Sequence, residues 1–61
     1  MYIRIFILDN LGLFEEFTHY FEPKRTTIQD IEAFCSNYIF ENYPEENAFY
    51  DWEYEEENPY F

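Results

Sequence analysis

The stretch "YIRIFIL", residues 2–8, constrains how this chain folds more than any other. Ile3, Ile5 and Ile7 recur with period two, and Tyr2, Arg4, Phe6 and Leu8 fill the alternate positions. Successive side chains of a strand point to opposite faces. The pattern therefore predicts a strand over 2–8 with three β-branched residues on one face.

"DNLG", residues 9–12, is turn chemistry. In "LFEEFTHYFE", 13–22, Leu13, Phe17 and Phe21 share a strand face but also stand at helical i, i+4 spacing. The preceding strand and the turn favour a hairpin over a helix, and Pro23 ends the segment. "TTIQDIEAFCSNYIFENY" carries helical periodicity, with Ile28, Ile31, Cys35, Tyr38 and Ile39 on one stripe and Phe34 at its flank. Thr26 with Gln29 fits a capping box, and Thr27 with Asp30 is a near match. The helix is expected over 28–42, ending before Pro44 because a residue preceding proline disfavours helical ψ. "AFYDWEY" reads as a third strand, 49–54, and residues 55–61 form an acidic and aromatic tail. The expectation is a single α+β domain over 1–61, ordered β-β-α-β: an antiparallel hairpin and a third strand with one helix packed on the sheet.

Sixty-one residues bury only a small core. The usual reinforcements are absent from the sequence. The single Cys35 excludes an intramolecular disulfide, and with His19 alone a Cys/His zinc site needs a second chain. Aromatics make up 26% of the residues, enough to build a core and still furnish a partner surface. A homodimer is the other way to gain buried area. No apolar run approaches the roughly 20 residues of a membrane span, and "YIRIFIL" lacks the small-residue cleavage site of a signal peptide. With the unpaired cysteine, this gives the expectation of a cytoplasmic protein without membrane contact.

Charge narrows the function classes. The formal net charge is −11, a field that repels nucleic acid and anionic membranes and speeds encounter with basic surfaces. Residues 1–40 contain all three bases, Arg4, Lys24 and Arg25. Residues 41–61 contain Glu41, Glu45, Glu46, Asp51, Glu53, Glu55, Glu56 and Glu57 and no base. Catalysis has few candidates. Glu15 and Glu16 are adjacent and point apart on a strand, Cys35 falls in the apolar helical stripe, and there is no Gly-rich loop or nucleophile motif. "DWEYEEENPY" alternates acids but lacks the glycine of an EF-hand loop. The reading is a non-enzyme with no cofactor and no metal site.

On a strand, Asp51, Glu53, Glu55 and Glu57 would stand in a row at roughly 6.6–6.8 Å intervals. Phosphates along one DNA strand lie roughly 7 Å apart through space. Such a row fits the positions where a basic nucleic-acid-binding protein expects phosphates, and Glu41, Glu45 and Glu46 could add a second row. Trp52, Tyr54 and Tyr60 interleave with these acids as candidate anchors. The plainer readings stand beside this one: acids that keep an aromatic-rich protein soluble, and a Trp52 that covers the helix as core.

In size, acidity, aromatic richness, β-β-α-β order and the stretch "FYDWEYEEENPY", the chain resembles the small acidic phage proteins that inhibit host DNA-processing or defence enzymes. The resemblance covers the character of the whole chain and includes no diagnostic motif. It implies a stoichiometric inhibitor acting in the host cytoplasm on a basic nucleic-acid-binding enzyme, with no direct contact to nucleic acid. The partner-binding residues on this reading are Asp51, Trp52, Glu53, Tyr54, Glu55, Glu56, Glu57, Tyr60, Glu45 and Glu46. The alternative is a protein-interaction or assembly module that uses an aromatic patch or an exposed strand edge.

Overall fold

Strand β1 (Tyr2–Asp9) lies at the centre of a three-stranded antiparallel sheet, between β2 (Gly12–Tyr20) and β3 (Phe49–Tyr54). The computed structural model describes residues 1–55. Its α+β order, β1-β2-α1-β3, follows the expected one, with α1 at Ile28–Asn42. Ile3, Ile5 and Ile7 are fully buried, together with Ile31 and Cys35 of α1. The period-two pattern thus fixes which face of β1 meets the helix. Burying each isoleucine contributes about 1.5–3 kcal/mol. With so few fully buried residues, Ile5→Ala should cost about 2–5 kcal/mol, much of the roughly 3–9 kcal/mol expected for a domain of this size; chemical denaturation measures this.

The hairpin turn is set by Asp9, whose Oδ1 accepts from the backbone N–H groups of Leu11 (2.7 Å) and Gly12 (3.0 Å). Gly12 has φ 153°, and a β-carbon there would meet no atom within 4 Å. The backbone angle, rather than crowding, is what favours glycine.

Pairing of β1 with β2 shifts register between Ile7 and Leu8: Ile7 faces Glu15, but Leu8 faces Leu13. Phe14 is the extra residue of a bulge. This corrects the expected face of β2. Phe17 and Phe21 pack against the core as expected, whereas Leu13 is carried to the parity of Leu8 and is exposed. The strand also stops at Tyr20 rather than at residue 22, although Met1 and Phe21 still exchange hydrogen bonds at 2.8 Å.

The helix begins with a capping box on Thr27 and Asp30, not on Thr26 and Gln29. Thr27 Oγ1 accepts from the Asp30 N–H (3.2 Å), and Asp30 Oδ2 accepts from the Thr27 N–H (2.8 Å). Thr26 is already engaged, its hydroxyl donating to the Glu22 carbonyl at 2.7 Å. At the other end the Tyr43 N–H closes the last turn on the Ile39 carbonyl (2.7 Å), immediately before Pro44.

Candidate functional site

The face of the sheet away from α1 has no covering element among the described residues. Its rows follow from register: Thr18, Arg4 and Glu53 across one line, then Glu16, Phe6 and Asp51, then Leu13, Leu8 and Phe49. One end is therefore apolar, and the middle is a band of carboxylates around one cation.

Arg4 ties that band together. Its Nη1 donates to Glu16 Oε2 at 2.6 Å and its Nη2 to Glu55 Oε1 at 2.7 Å. Glu55 also accepts from the Thr18 hydroxyl at 2.7 Å. The Thr18 hydrogen bond, reinforced by Arg4, holds the Glu55 carboxyl below the ordinary carboxylate range. Glu55, and then Glu16, push the guanidinium pKa up. One guanidinium thus links residues held by β2, by β1 and by the chain just past β3.

The expected carboxylate row is therefore only partly available. β3 ends at Tyr54, which leaves Asp51 and Glu53 in strand register and exposed. The Glu55 N–H still bonds the Tyr2 carbonyl (3.0 Å), so the ladder runs one residue further, but its carboxylate is half-buried against Arg4 and Thr18. Glu56, Glu57 and Tyr60 lie outside the described residues. Glu45 and Glu46 are exposed in the α1–β3 connection, at the end of the sheet where Phe49 begins β3.

Asp51 has a second duty. Its Oδ1 accepts from the backbone N–H of Trp52 at 2.9 Å. The Glu55-to-Tyr2 bond, with the pairing register, directs the N–H groups of residues 49, 51 and 53 toward β1 and those of 50, 52 and 54 outward. Asp51 therefore occupies a donor on the outer edge of β3, a device that discourages unwanted strand pairing.

The aromatic candidates divide between core and surface. Trp52 lies opposite Ile5 and packs half-buried against the core. Tyr54 is 56% exposed and meets the Trp52 ring edge-on, with centroids 5.5 Å apart. His19 stacks on Phe34 at 4.4 Å, an aromatic role. Burial raises the Cys35 thiol to about 11, with Glu32 adding to the shift, so it is a weak nucleophile at neutral pH. Among the described residues, no group of three or more His, Cys, Asp or Glu side chains is placed to hold a metal ion, and no helix is long and apolar enough to cross a membrane.

Glu15 takes a role that the sequence reading missed. It faces the helix, and a single carboxylate oxygen accepts from the hydroxyls of Tyr38 (2.7 Å) and Tyr43 (2.6 Å). Those hydrogen bonds, Tyr43 first, lower the Glu15 pKa. The bond to Glu15 raises Tyr38 to about 12 and raises Tyr43 as well. The available signal was parity: Glu15 shares the face of Phe17, so a carboxylate among aromatics needed donors from the helix.

No family model matches the chain, and neither a curated protein nor a solved structure matches it.

Proposed function

We propose that this chain is a stoichiometric, non-enzymatic inhibitor that binds the basic nucleic-acid-binding surface of a host enzyme by nucleic-acid mimicry, as a phage-encoded counter-defence or host-takeover protein. One observation carries the reading. Asp51 and Glu53 stand exposed two residues apart on a strand, Glu16 lies across the same face, and the only cation in that band, Arg4, is held by two carboxylates. An incoming basic surface meets net negative charge there, at spacing near that of phosphates. Glu45 and Glu46 extend the charge toward the start of β3. Because the chain carries −11 overall, association should be fast at low salt and fall steeply as salt rises.

The test is competition. Duplex DNA added to a complex of this protein with a basic host enzyme should release it; a complex that survives excess DNA rules out mimicry.

A second reading, a protein-interaction or assembly module, is favoured by the exposure of Leu11 (95%) and Phe40 (77%). On that reading Phe40→Ser abolishes binding, whereas neutralising Asp51 and Glu53 leaves it intact.

A further inference from the structure

A surface cleft of about 290 Å³ opens between the second half of α1 and the start of β3, lined by Ser36, Ile39, Ala48, Phe49 and Tyr50. Ligand pockets for small molecules run from about 300 to 1,000 Å³. This cleft lies just under that range and has ample room for one side chain. Its lining is mostly apolar, and Phe40, one turn beyond Ser36, stands exposed beside it.

The surroundings carry one sign. The last turn of α1 has no basic residue, and the C-terminus of a helix is the negative end of its dipole. Glu45 and Glu46 lie exposed in the short connection that runs from this helix end to Ala48 at the cleft. From residue 41 onward the chain contains no Lys or Arg. A second copy would bring another −11, and a nucleic acid or anionic lipid would be repelled in the same way.

We propose that this cleft receives one aliphatic or aromatic side chain from an extended, Lys/Arg-rich segment of a partner protein, with the flanking cations paired to Glu45 and Glu46 in the connection beside it. This rests on the reading above, on which the partner is basic, and adds a contact on the α1 side of β3, apart from the open face. Asp51 already occupies the Trp52 N–H, so the anchor is a side chain in the cleft and not a fully added strand. The arrangement has the form of a hot spot: an apolar pocket within a charged rim.

The experiment titrates the ¹⁵N-labelled full chain with three pentapeptides and follows its amide shifts. One has a leucine between pairs of arginines, one an alanine in that place, and one a leucine between pairs of glutamates. The expected result is saturable shifts at Ser36, Ala48 and Tyr50 with the first peptide and binding weaker by about tenfold or more with the second. Ser36→Phe, which fills the cleft from an exposed position, should abolish these shifts while preserving amide dispersion; Ser36→Ala should not. Equal binding of the leucine and alanine peptides overturns the cleft and leaves the electrostatic reading standing. Equal binding of the glutamate-flanked peptide overturns the basic partner. Shifts that grow with protein concentration alone assign the cleft to a second copy and overturn the proposal, as does the absence of shifts at millimolar peptide.

Discussion

Arg4 donates to Glu55 at 2.7 Å across the open face of the sheet, joining residues 51 positions apart in the chain. The pair holds the end of β3 in place and neutralises charge at the centre of the acidic band. Arg4→Gln keeps a polar side chain but frees Glu16 and Glu55 for an external cation. Affinity for an oligolysine peptide should rise roughly two- to fivefold, with a steeper salt dependence. Isothermal titration measures it, and a weakened complex would mean that Arg4 matters only for holding the strands.

Glu15 and its two tyrosines should set the pH limits of stability. A carboxyl whose pKa is lowered in the folded state contributes stability above its ordinary value of 4.5, lost as pH falls through the lowered one. The tyrosines work at the other end. Tyr38 is raised from 10.0 to about 12, so its contribution is present below pH 10 and is lost as pH rises toward 12. Glu15→Gln retains an acceptor but not the charge and should cost about 1 kcal/mol at neutral pH. The difference from wild type should shrink between pH 5 and pH 3 in urea melts. A difference that stays constant across that range would contradict the assignment.

Asp51 is expected to guard the edge of β3. Asp51→Ala removes the acceptor from the Trp52 N–H, whereas Asp51→Asn keeps one. At high salt, where the mutual repulsion of −11 chains is screened, the alanine variant should self-associate in sedimentation and the asparagine variant should stay at the wild-type mass. Identical behaviour of the two would leave the edge bond without a protective role.

The residues divide clearly into what local pattern reveals and what pairing creates. The alternation of Ile3, Ile5 and Ile7 was enough to put them on one face of a strand, because period two is intrinsic to a strand; their burial with Ile31 and Cys35 makes that face the core. The span of α1 followed from helical periodicity and Pro44, both local signals, whereas the cap fell on Thr27 with Asp30 rather than on the better-fitting Thr26 with Gln29. The bulge at Phe14 was not legible, since it arises from how β2 meets β1 and reversed the expected side of Leu13. Nor was the engagement of Glu55, which depends on an arginine at the other end of the chain. The carboxylate row was legible as spacing. Which members remain free to meet a partner was decided by tertiary contacts.

Inhibition by a charge-neutralised variant separates nucleic-acid mimicry from any other mode of binding. Glu16→Gln, Asp51→Asn and Glu53→Gln combined remove three carboxylates from the open face while leaving the core and Glu55 in place. Against a basic nucleic-acid-binding enzyme captured from host lysate, wild type should inhibit in competition with duplex DNA, and the triple variant should lose at least tenfold in potency while remaining folded. Undiminished inhibition by the triple variant, or inhibition by wild type that excess DNA does not relieve, would rule out mimicry by the open face.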